Sequence, residues 1–158
     1  MESTERVRAC LRPFGAEDRV IEFEISTATV ALAAQALGVE EGRIAKTLSF
    51  MAGEQPLLIV AAGDQRVDNR RFKDRFGAKP RMMTAEQLEA FTGLHFGGVC
   101  PFGIPQSVQV WLDESLLAWD TVYPAAGTEN SAVRLTPEEL ERFTGALGWV
   151  SVCRPPAV

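Results

Sequence analysis

Histidine is almost absent from this chain, and His95 stands alone. A single imidazole cannot build a His-based metal centre. Cysteine is nearly as sparse. Cys10, Cys100 and Cys153 form an odd, widely spaced set with no CxxC pair, which argues against a disulfide framework and fits a reducing cytoplasm. No apolar run approaches the length of a membrane span. The opening Met1-Glu2-Ser3-Thr4-Glu5-Arg6 is polar and mixed in charge, unlike a secretory signal. P-loop, GxSxG and HExxH spacings are missing too. Positive charge is in deficit: 16 Lys and Arg face 21 Asp and Glu, a net −5. That weighs against broad nucleic-acid binding, which needs clustered cations, but not against a local basic face.

What remains is an ordinary globular composition. The chain has 158 residues, 46% of them hydrophobic, and is expected to form one domain over residues 1–158. The spacing predicts a helix over 4–12 with Thr4 as its cap, a strand over 20–24, and an alanine-rich helix over 29–37 stopped by Gly38. A helical turn over 40–45 leads into a strand over 47–51, which places Lys46 at their junction. A hairpin turn at Gly53–Pro56 follows, then the continuous apolar run Leu57–Ala62, which reads as a central strand. Asp68 and Gly77 bracket a helix. Residues 81–83 read as a short strand. Thr84-x-x-Gln87 opens another helix, and Thr136-Pro137-Glu138-Glu139 opens the last one. Strands are expected over 108–112, 121–123, 132–135 and 149–152, with a helical turn at 116–119. Hairpins beside longer crossovers give an α/β chain with a mixed sheet.

Two features carry chemistry. Lys46 sits among Ile44, Ala45, Leu48 and Phe50. A half-buried ammonium there can hold a phosphate, a carboxylate or a ribose hydroxyl, or serve as a base. An ordinary lysine that snorkels over apolar surface fits the same spacing. Gly97-Gly98-Val99-Cys100-Pro101-Phe102-Gly103 is a rigid loop that can present backbone N–H groups to a carbonyl or an oxyanion. A purely structural loop is the alternative. Cys100, with His95 five residues upstream, suggests a thiol nucleophile, but buried cysteines are usually inert hydrophobes.

From Asp64 to Arg81 seven cations (Arg66, Arg70, Arg71, Lys73, Arg75, Lys79 and Arg81) face Asp64, Asp68 and Asp74, a local +4. This is either a solvated helix face or a phosphate-tracking patch, with Arg66, Arg70, Arg71 and Lys73 as the phosphate-binding candidates. Phe72 and Phe76, four apart, read as a core face.

In order, the chain carries Arg43-Ile44-Ala45-Lys46-Thr47-Leu48, Gly63-Asp64-Gln65-Arg66-Val67-Asp68 and Thr92-Gly93. The glycine loop follows, then Val110-Trp111-Leu112-Asp113, Ala126-Gly127 and Leu135-Thr136-Pro137-Glu138-Glu139-Leu140. This series resembles the YbaK/EbsC superfamily, free-standing relatives of the editing (insertion) domain of prolyl-tRNA synthetase. The resemblance implies a mixed, partly barrel-like β-sheet flanked by helices. It implies hydrolysis of mischarged tRNA, tRNA(Pro) in particular, in the cytoplasm and without metal or organic cofactor. The partners it implies are the tRNA acceptor end and prolyl-tRNA synthetase, with no membrane. The family lysine falls on Lys46, and the Gly-x-x-x-Pro loop on Gly97, Gly98 and Pro101. Thr47, Val99, Cys100, Phe102, Gly103, Ala126 and Gly127 fall around the substrate. Thr47 stands where the alanine-clearing branch has asparagine, and no histidine lies near Ala126-Gly127. Ala132 is neutral where the cysteine-clearing branch has an acidic residue. These departures leave 2-aminobutyrate, serine and threonine open. A non-catalytic module that holds aminoacyl ends or small amino acids and docks on a synthetase is the alternative from a different class.

Overall fold

The apolar run Leu57–Ala62 lies inside strand β3 (Gln55–Ala62), buried on both faces. Leu57, Ile59 and Ala61 point into one core cluster, and Leu58, Val60 and Ala62 into another. A strand covered on both sides has no polar face to alternate with, hence the unbroken apolar sequence. The computed structural model describes residues 3–156.

The fold is mixed α+β. β3 pairs antiparallel with β2 (Ile44–Ala52) across the Gly53 hairpin, in register from Ala45↔Ala62 to Ala52↔Gln55. Its other edge takes β6 (Gln109–Asp113) in parallel, and β6 takes β9 (Trp149–Val150) in parallel. The far edge of β2 is shared by two short strands. β5 (Arg81–Met82) pairs with Phe50 and Met51, and β7 (Tyr123–Pro124) pairs with Ile44 and Ala45. Between them Lys46, Thr47 and Leu48 have no strand on that far edge among the described residues. Two smaller antiparallel pairs complete the strands: β1 (Val20–Glu22) with β8 (Ser131–Val133), and β4 (Arg66–Val67) with β10 (Cys153–Arg154). The six-stranded sheet ends at β5 and β9, so this mixed sheet flanked by helices does not close into a barrel.

Helices cover both faces. α1 (Ser3–Leu11) and α5 (Pro137–Thr144) bury Val7, Leu11, Leu140 and Phe143 on one side, and α3 (Asn69–Phe76) buries Phe72 on the other. α2 (Val30–Leu37) packs Ala33 and Ala34 on Ile44, and α4 (Ala85–Thr92) packs Leu88 on Met51 and Met83. The caps follow the sequence. Asp68 accepts from the Arg71 N–H, and Thr84 with Gln87 and Thr136 with Glu139 form full capping boxes. Thr4 differs from expectation: it lies inside α1 and is buried, not at the cap. Lys46 also shifts. The turn ends at Arg43 and β2 begins at Ile44, because Ile44 and Ala45 already have partners in β7. Lys46 is therefore the third residue of the strand.

Asp113, 2% exposed, closes the end of β6. Its carboxylate accepts from the Val152 N–H at 2.9 Å and the Ser115 N–H at 3.0 Å. It ties the strand end to the segment between β9 and β10. Replacing Asp113 by alanine orphans both donors and is expected to cost about 2 kcal/mol, measured as a lower urea midpoint with an unchanged slope.

Candidate active site

The gap in the β2 edge opens into a cavity of about 150 Å³. Its inner wall is Ile44, Ala45, Lys46 and Thr47 of β2. Val30 and Ala33 of α2, the Thr27–Thr29 segment before α2, Phe96, Gly97 and Val99, and Tyr123, Ala125, Ser131 and Ala132 close the rest. The walls are mostly small and apolar.

Lys46 is half-buried at the edge of this cavity. Its ammonium donates to the carbonyls of Gly63 and Gln65 just beyond β3. Burial pushes its pKa below the ordinary lysine value, against the opposing pull of Asp64 and the Cys153 thiol. An ammonium has three donors. Two carbonyl partners leave one N–H for a ligand.

Gly97 adopts φ +94°, a left-handed conformation that favours glycine. Gly98 is glycine for a different reason. A Cβ there would lie 2.9 Å from the Gly127 carbonyl oxygen, so this close approach of two loops forbids a side chain. The Gly98 N–H is spent on the His95 carbonyl at 3.1 Å. The loop residues at the cavity are Gly97 and Val99.

The structure gathers Lys46, Thr47, Gly97 and Val99 around one cavity. It sets other expected residues behind the wall. Cys100, Pro101 and Phe102 are buried, Cys100 and Phe102 in the core beneath the loop, and Gly103 is exposed. None of them lines the cavity, because the chain turns into the core after Val99. Ala126 is likewise fully buried, and a Cβ on Gly127 would lie 2.9 Å from Ser3 Cβ. Their neighbour Ala125 forms the wall instead. Complete burial pushes the Cys100 thiol up to about 11, so a thiolate is not available at neutral pH.

The sequence reading missed the contributions of Thr27–Thr29, Val30, Ala33 and Tyr123, which no local motif marks. Arg66, Arg70 and Lys73 are exposed on or beside α3. Arg71 is partly committed, since its guanidinium donates to the Cys153 carbonyl. Among the described residues no cluster of His, Cys, Asp or Glu could hold a metal ion, and no helix is long and apolar enough to cross a membrane.

With this geometry in place, the aminoacyl-tRNA editing domain model matches residues 24–143. The chain belongs to the aminoacyl-tRNA editing domain family. Similar proteins include YwhH of Bacillus subtilis (strain 168), 46% identical over 153 residues and covering 96% of this chain and 98% of YwhH. EbsC of Enterococcus faecalis (strain ATCC 700802 / V583), named as a proposed Cys-tRNA(Pro)/Cys-tRNA(Cys) deacylase, is 31% identical over 70% of this chain and 69% of EbsC. A crystal structure of a proposed trans-editing enzyme for prolyl tRNA synthetase superposes with a TM-score of 0.84 at 36% identity, covering 94% of this chain and 95% of that one. The mixed α+β architecture is thus that of the editing family.

In this editing domain the Thr47 hydroxyl is buried without a hydrogen-bond partner among the described residues. Such a group costs about 1–3 kcal/mol when left unpaired. Thr47→Val is therefore expected to raise the urea midpoint of the ligand-free protein, an unusual sign for a substitution beside a candidate active site.

Proposed function

We propose that this chain is a trans-editing deacylase that hydrolyses the ester of mischarged tRNA, with tRNA(Pro) carrying a small non-cognate amino acid as its substrate. The observation that carries the reading is the position of Lys46. Lys46, its ammonium held by the Gly63 and Gln65 carbonyls, lines the same small, mostly apolar cavity as Gly97 and Val99.

The chemistry asks little of the protein. An aminoacyl ester is already activated, so no nucleophilic side chain is needed. Water, or a hydroxyl of the substrate itself, attacks the carbonyl. The developing oxyanion is held by preorganised donors, for which the Gly97 and Val99 N–H groups are the loop's candidates. The remaining N–H of Lys46 orients the ester from the other side. The cavity, about 150 Å³ with mostly small, apolar walls, suits a small side chain. A synthetase distinguishes one methylene by only about 1–3 kcal/mol, so a second site must clear the errors. The neutral wall at Ala132 suits 2-aminobutyrate, serine or threonine. Arg66, Arg70 and Lys73 form the surface for acceptor-end phosphates, with Arg71 partly held back, and prolyl-tRNA synthetase is the partner that supplies the substrate.

The test is incubation with tRNA(Pro) charged in turn with alanine, cysteine, 2-aminobutyrate, serine and threonine. Deacylation of at least one is expected, and none on any bacterial tRNA sinks the reading. Tight binding of a nonhydrolysable aminoacyl-adenosine without turnover points instead to a binding module. Lys46→Ala is expected to lower the rate by about a hundredfold or more. Cys100→Ser should keep it, since the thiol lies in the core.

The pH profile carries its own sign. Lys46 works protonated, and its pKa lies below 10.5. The rate enhancement over spontaneous ester hydrolysis should hold at neutral pH and fall as pH rises through that lowered value. A flat enhancement up to pH 10.5 would exclude the ammonium as the working form.

A further inference from the structure

A second hollow adjoins the amino-acid cavity. It is an open groove of about 520 Å³. Glu40, Glu41 and Gly42 form one side, Gly63 to Arg66 the floor, and Trp119 and Pro156 the rest. Among the described residues Lys46 alone lines both hollows. The partition beside it is thin. A Cβ on Gly63, a groove residue, would lie 2.7 Å from Val30 Cγ1 of the cavity wall.

We propose that this groove holds the terminal nucleoside of the tRNA as a neutral ligand, so that the scissile ester lies at Lys46 between two separately shaped halves. The inference rests on the deacylase reading and adds a site to it.

An aminoacyl ester joins two unlike pieces at a ribose. The hollows differ in the same way. One is small with mostly apolar walls, and the other is larger, more open and lined by charged groups and an indole. Charge decides which part of a nucleotide the groove accepts. Glu40, Glu41 and Asp64 line it against Lys46 and Arg66. A phosphate would face like charge there, whereas ribose hydroxyls and an exocyclic amine are donors that carboxylates accept. Glu40 is held by Arg43 at 2.8 Å. Asp64 makes only a long contact of 3.4 Å with the Gln65 amide among the described residues, so it is free to accept.

Trp119 supplies aromatic surface of the kind bases pack against. The Arg43 guanidinium, 4.9 Å from the ring centroid, and the close approach of Gly42 fix the indole in place. Arg66 lines the groove and is exposed, and the exposed Arg70 and Lys73 follow it in the chain. The phosphates of the preceding nucleotides belong on that path, outside the groove.

The experiment uses the full chain. Deacylation kinetics are compared for wild type, Trp119→Leu and Asp64→Asn on the aminoacyl-tRNA that turns over best. KM should rise about tenfold, equivalent to 1.4 kcal/mol of binding, with kcat within about twofold. Asp64 is exposed, so Asp64→Asn keeps the test decisive should Trp119→Leu unfold. In parallel, adenosine and adenosine 5′-monophosphate are titrated while the indole N–H signals are followed by NMR, with Trp119→Phe assigning the Trp119 signal. Adenosine should shift that signal, and the added phosphate should not tighten binding. An unchanged KM in a folded variant overturns the groove and leaves the deacylase reading standing. Tighter binding of the monophosphate overturns the neutral-ligand assignment. Adenosine binding in a protein that deacylates no charged tRNA supports the groove and overturns the deacylase reading.

Discussion

The ladder between β2 and β3 holds the rest of the molecule in place. Eight residue pairs, Ala45↔Ala62 to Ala52↔Gln55, fix which side chains face which core. A slip of one residue would flip every side chain to the opposite face. The two-sided burial of β3 penalises that slip, because each of its faces already fills its own core cluster. Lys46 and Thr47 are neighbours on this ladder, so the register that packs the core also delivers the ammonium and the hydroxyl.

The elements around the ladder supply one wall each and do little else at the site. α2 brings Val30 and Ala33, the glycine loop brings Gly97 and Val99, and the stretch from β7 to β8 brings Ala125, Ser131 and Ala132. Asp113 anchors the far end of the sheet. The division of labour is physical. The rigid sheet positions the charge, and the connecting segments shape the volume it faces.

Much of this was legible in the residues. Capping signals at Asp68, Thr84 and Thr136, and the apolar run at 57–62, are local and gave the correct elements. Lys46 stood out because a cation among apolar neighbours is costly unless it is used or satisfied. The glycine loop was visible, but its orientation was not. Spacing cannot tell that the chain dives into the core after Val99, so Cys100, Phe102 and Gly103 were grouped with the residues that reach the cavity. The walls from Thr27, Val30 and Tyr123 were invisible for a related reason. They are ordinary small or apolar residues whose role depends on distant chain segments meeting at β2. The sheet ends at the two-residue strands β5 and β9 without closing, a tertiary fact with no local signal.

An exposed sheet edge is a standing invitation to another strand, and proteins usually blunt it with charge, bulges or cover. Here β5 and β7 cover the two ends of the β2 edge, and the opening between them is Lys46, Thr47 and Leu48, with the Ser49 carbonyl already taken by Met83. So short a window, with a lysine in it, is too brief to template self-assembly. The same interruption that opens onto the cavity thus keeps one copy of the protein from sticking to the next.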